Sequence, residues 1–242
     1  LNATAANAVV TLANTLNADA SGNRNLNISA SGNGSTIRLG AAVGNTASFD
    51  QLALNASSIA INGGSVTTSG NQSYTGATTL GTATTLTGSN VSTTSANSTI
   101  AGAGNSLGVL GNASIAGDVS NVTTVNVSGT TRLAANISST ANHTYAGAIT
   151  LGSDATVLTN GSSSVITTTS TVNSDGTARA LTLNATGATG KVVVASTVGN
   201  SAALNQLAIN SSAIAMNGAS VNTSGNQSYT GATTLGTATT LT

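Results

Sequence analysis

The stretch VTTSGNQSYTGATTLGTATTLT at residues 66–87 returns almost letter for letter as VNTSGNQSYTGATTLGTATTLT at residues 221–242, about 155 residues further on. The same offset aligns the weaker sequence upstream without a gap. It places Leu26 on Leu181, Val43-Gly44-Asn45 on Val198-Gly199-Asn200, Leu52 on Leu207, and Ile59-Ala60-Ile61 on Ile214-Ala215-Met216. Residues 1–87 thus match residues 156–242, and the absence of insertions means that each unit is geometrically constrained. A third, diverged copy, ISSTANHTYAGAITLGSDATVLT at residues 137–159, divides the long repeat into parts of about 71 and 84 residues.

Within each part, apolar residues come in short clusters separated by Gly, Asn, Ser or Asp: Leu52 and Leu54, Ile59 and Ile61, Val66, Tyr74, Leu80, Leu86. Helical i, i+3, i+4, i+7 spacing is nowhere sustained. Alternation is local, as in Leu80-Thr82-Thr84-Leu86 on one parity, and reads as strands of three to six residues broken by turns. Asn-Gly turns at residues 33, 62, 160 and 217 are too few to close every strand pair as a hairpin. A parallel β-helix needs no hairpins, because each rung lies on the one before. Its thin interior suits short aliphatic and small side chains. The expected fold is therefore all-β: one continuous β-solenoid over residues 1–242, with short strands and about 20 residues per rung.

Composition agrees with that reading. Only 4% of the 242 residues are charged, the formal net charge is zero, and proline, cysteine and tryptophan are absent. Low charge with high β-propensity and no proline favours backbone pairing, within one chain or between chains. Zero cysteine excludes disulfide staples and thiol chemistry. No basic excess marks a nucleic-acid binder, and no apolar run is long enough to span a bilayer. The first residues, LNATAANAVV, lack a positive n-region, and no polar cap is visible at either end. The expectation is a fragment of a longer array.

The motif TTSGNQSYTGATTLGTATTLT, preceded by LALNASSIAINGGSVTTSG, resembles the repeats of giant bacterial surface proteins of the filamentous-haemagglutinin-like, β-strand-repeat adhesin class. The resemblance covers essentially the whole chain. It implies a right-handed parallel β-helix, secreted and displayed on or shed from the cell surface, used for adhesion, aggregation or matrix building. The chain departs from that class in being almost uncharged and in repeating one motif so closely. Both departures favour a self-assembling fibre whose partners are copies of itself, since a neutral Thr/Asn surface lacks the repulsion that keeps molecules apart. Cell-surface glycans are the second expected partner, with nucleic acid and a membrane span excluded.

Catalysis needs convergent titratable groups, and few are present. His143 is the sole histidine, at the place where the sister copies have Gln72 and Gln227, and it reads as a polar turn or face residue. Asp19, Asp50, Asp118, Asp154 and Asp175 are scattered singly, without a calcium-loop pattern. Arg24, Arg38, Arg132, Arg179 and Lys191 are equally dispersed, with Arg24 and Arg179 at equivalent places. No catalytic, cofactor-binding or metal-binding residue is assigned. Tyr74, Tyr145 and Tyr229 recur at one motif position, as packing residues at a solenoid corner or as fibre contacts through the phenol edge.

One surface chemistry stands out. Asn-x-Ser/Thr triplets number about 17, against roughly 9 expected from composition. Asn55, Asn71, Asn112, Asn126, Asn142, Asn184, Asn210 and Asn226 are the candidate glycosylation sites. Two readings stand: repeat duplication inflates the count, or glycans replace charge as a solubilising coat. Three functions follow: a structural filament or surface matrix, the stalk of a large adhesin, or an ice- or carbohydrate-binding face built on Thr-x-Thr ladders such as Thr82-Ala83-Thr84 and Thr237-Ala238-Thr239.

Overall fold

The computed structural model describes all 242 residues. It contains strands and turns and no helix, and the strands stack in parallel as a β-solenoid with about 22 residues per turn. Helix is absent for a local reason: the chain is rich in Thr, Asn, Ser, Val and Gly, all poor helix formers, and carries no sustained apolar stripe. The structure divides into two compact units, Leu1–Val122 and Thr123–Thr242.

In the first unit, successive rungs lie in register and inward side chains form columns. Ile37, Ile59 and Thr78 stand one above another, and so do Leu39, Ile61 and Leu80. A third column runs through Ile28, Leu54 and Tyr74. All of these side chains are buried. Each buried Leu or Ile contributes about 2 kcal/mol, so the interior rests on many equal rungs rather than on one dense centre.

The second unit has the same construction. Ile166, Val192 and Ile214 form one inward column, and Val157, Leu183 and Ile209 another. The sequence repeat is also a pairing repeat. Leu26 pairs Leu52 and Leu52 pairs Gln72 in the first unit, just as Leu181 pairs Leu207 and Leu207 pairs Gln227 in the second.

Strands of three to six residues were expected, yet Gln51–Ile61 and Gln206–Met216 each run for 11. The reason lies at a corner. Gln51–Ile61 pairs below with two separate strands, Asn25–Ala30 and Thr36–Leu39, so one bent strand serves two faces. Above it the register shifts between Asn55 and Ser58, where Gly76 sits at φ 119°. Gly231, at φ 133°, fills the same place in the other copy. A Cβ on Gly76 would fall on the carbonyl oxygen of Ala56, so only glycine fits there. The corner is a bulge in a continuous strand, not a loop.

Inward positions beside corners are filled by hydroxyls that bond their own backbone. Thr68 Oγ1 donates to the Gly70 carbonyl at 2.9 Å and Thr84 Oγ1 to the Thr82 carbonyl at 2.9 Å. Ser211 Oγ donates to Ala213 and Thr223 Oγ1 to Gly225, at 2.7 and 2.8 Å. A buried hydroxyl satisfied by the backbone two residues away costs little, so a solenoid can close with few aliphatic residues.

Candidate functional site

Gln72 is fully buried and organises the most developed polar cluster of the interior. Its Nε2 donates to the carbonyls of Val66 and Thr87, at 3.0 and 2.8 Å, while its Oε1 accepts from the Tyr74 hydroxyl at 2.7 Å. The second copy repeats this arrangement. Gln227 Nε2 donates to Val221 and Thr242, and Tyr229 donates to Gln227 Oε1 at 2.8 Å. One carboxamide thus ties the strands it faces and satisfies a phenol two residues on. The Gln-x-Tyr spacing, repeated in the sequence, was the available signal for this clamp, since residues i and i+2 of a strand share a face.

The diverged copy carries His143 instead. The sequence reading put this side chain on a turn or outer face, but it is 0% exposed. It points inward because its motif position is the inward position of Gln72. Nε2 lies 3.0 Å from the Leu158 carbonyl, which can only accept, so this nitrogen carries the hydrogen. It also lies 2.8 Å from Ser139 Oγ, which donates to Ala141. Imidazole therefore replaces the donor half of Gln72. It does not replace the acceptor half: Nδ1 and the Tyr145 hydroxyl are both buried without a partner, and the two rings stack 6.2 Å apart.

Burial pushes the imidazole of His143 down to about 4 and the phenols of Tyr74 and Tyr145 well above their usual range. Tyr229, less enclosed, is pushed up to about 12. Tyr74 and Tyr145 are enclosed in the interior, whereas Tyr229 is half-buried.

The charged side chains sit outside, and two groups of them pair locally. Arg24 bonds Asp19 at 2.7 Å, and its repeat equivalent Arg179 bonds Asp175 at 3.2 Å, with Arg132 3.6 Å from the same carboxylate. The guanidinium partners hold both aspartates below the ordinary carboxylate range. No three His or Asp side chains converge where they could hold a metal ion. Two shallow grooves of about 260 and 270 Å³ are lined by Asn210, Ser211 and Ser212 with Thr186, and by Asn142 with Ser162–Ser164. Neither has a titratable lining group.

The sequons have a geometric explanation. Asn55, Asn71, Asn112, Asn126, Asn142, Asn210 and Asn226 are exposed and Asn184 is half-buried. In seven of these eight triplets the middle residue, such as Gln72, Val127 or Ala185, is buried. Two outward polar positions flanking an inward residue is simply the period of a strand, so an outer surface made of Asn, Ser and Thr writes Asn-x-Ser/Thr repeatedly. Among the Thr-x-Thr pairs, Thr84 turns inward, and Thr239 bonds the carbonyls of Gly218 and Thr237.

Asparagines fall into two groups. Asn17, Asn136, Asn142 and Asn173 act as turn caps, their Oδ1 atoms accepting backbone N–H groups of the next rung. Others stand in a column on one flat face of the first unit. Asn25 pairs Gln51, Asn71 pairs Asn90, and Asn90 pairs Asn112. The pairing of Leu52 with Gln72 puts Gln51 beside Asn71 and completes the column. Sequence reading missed this feature because the members lie 19 to 26 residues apart, at uneven spacing.

Comparison with known protein families, with curated proteins and with solved structures finds no match to this chain.

Proposed function

We propose that this chain is a length-giving segment of an extracellular bacterial filament or surface matrix, built by stacking β-solenoid rungs. The observation that supports this most is the coincidence of sequence repeat and pairing repeat. Residues 155 apart make the same rung-to-rung partners, so copies can follow one another without a change of geometry. The resemblance of the motif to filamentous-haemagglutinin-like surface repeats points the same way, as does a polar exterior of low charge on which Arg24 and its repeat equivalent Arg179 each face an aspartate. With the titratable groups dispersed, the reading is structural and not catalytic.

The test is to express one, two and three copies of the 155-residue unit and image them by negative-stain electron microscopy. The contour length should grow by about 34 Å per copy, from about 22 residues per turn at about 4.8 Å each. Particles should also meet end to end. Copies that appear as separate beads would refute the stacking. A uniform elongated monomer at high concentration would remove self-assembly and leave the adhesin stalk, whose binding activity would lie in a separate domain.

A further inference from the structure

Five successive rungs of the first unit place a carboxamide at the same outward position: Asn25, Gln51, Asn71, Asn90 and Asn112. A hydroxyl column through Ser73, Ser92 and Ser114 runs beside it. No charged residue stands on this face. Arg38 and Asp118 belong to a different face, while Arg24 and Asp50 mark its border. The side chains of Asn25, Gln51, Asn71 and Asn90 make no hydrogen bond within the chain, unlike the turn-capping asparagines. Their donors and acceptors face solvent in a straight row, one every ~4.8 Å.

We infer that this face is a lateral docking surface for a second copy of the same chain, face to face about a two-fold axis. Three properties select that occupant. A carboxamide both donates and accepts, so it is complementary to itself, as a two-fold contact requires. Two copies share one rung spacing, so their columns stay in register over every rung, as in the Asn/Gln ladders of paired sheets. The face has no charge to oppose its own image. Five rungs by five residues offers about 400 Å² per partner, near 800 Å² in total, which is the size of a weak contact. Binding strength must then come from array length. This lateral contact is independent of the end-to-end stacking proposed above.

Because the chain has no cysteine, the contact can be trapped. Ser73→Cys lies at the centre of the face, and Thr79→Cys, on an exposed neighbouring face, is the control. Under mild oxidation of the whole 242-residue chain, Ser73→Cys should give about tenfold more disulfide-linked dimer than Thr79→Cys. Adding Asn90→Lys, which opposes like charges, should cancel that excess while leaving the circular dichroism spectrum unchanged. Equal crosslinking at the two sites, or an excess that survives Asn90→Lys, overturns the inference. Retention of the wild-type chain on a neutral polysaccharide without any Ser73→Cys excess also overturns it, in favour of a saccharide as occupant.

Discussion

At residue 143 the chain replaces a glutamine that performs two tasks with a histidine that performs one. Gln72 donates to the backbone and accepts from Tyr74, whereas His143 donates to Leu158 and leaves Tyr145 without a partner. An unmet buried hydroxyl costs about 1–3 kcal/mol. His143→Gln should therefore stabilise the protein by about 1 kcal/mol, measured by urea denaturation at pH 7. Tyr74→Phe, which orphans the Gln72 acceptor, should destabilise it by a similar amount.

The same histidine sets a pH response. Its folded-state value of about 4 lies below the ordinary value of 6.5, so the unfolded chain takes up the proton first. Its contribution is complete above about pH 6.5 and is lost as pH falls toward 4, by roughly 3 kcal/mol in all. The groups around the ring, from Ser139, Leu158 and Tyr145, are uncharged and cannot offset the imidazolium. Denaturation midpoints measured between pH 4 and 7 should decline for the wild type and stay flatter for His143→Gln. Parallel curves would refute this assignment.

At the scale of the element, the alternation read from the sequence holds within a strand, where Thr84 and Leu86 of Thr84–Thr93 both turn inward, whereas Leu80 closes the preceding strand, Asn71–Leu80, across a turn at residues 81–83. The corners were not legible. A bulge within a continuing strand keeps the strand's composition, and the glycine that bends it looks like any other glycine until the carbonyl of the rung below is placed against it. Gly76→Ala should cost about 3 kcal/mol, because it combines a left-handed backbone with a collision against Ala56. Gly104→Ala, where φ is 83° but no atom stands in the way, should cost about 1 kcal/mol. Equal losses would mean that backbone conformation alone decides. The polar clamp was half legible: Gln-x-Tyr recurs visibly, but the inward direction of His143 follows only once its parity is tied to Gln72.

For the whole molecule, stability is expected to be a sum over rungs and their interfaces rather than the property of one core. A chain extended by a further 155-residue copy should unfold at a higher urea concentration than the chain of 242 residues, with the gain shrinking as copies are added. An unchanged midpoint would mean that copies fold without coupling. The pairing repeat has an outcome for inheritance as well. Since Leu26 meets Leu52 as Leu181 meets Leu207, a crossover between misaligned copies in the gene would delete or insert whole turns and leave every junction with a native partner. Such a gene can change the number of turns in its product in steps of one long repeat while each junction keeps a pairing already present in the chain.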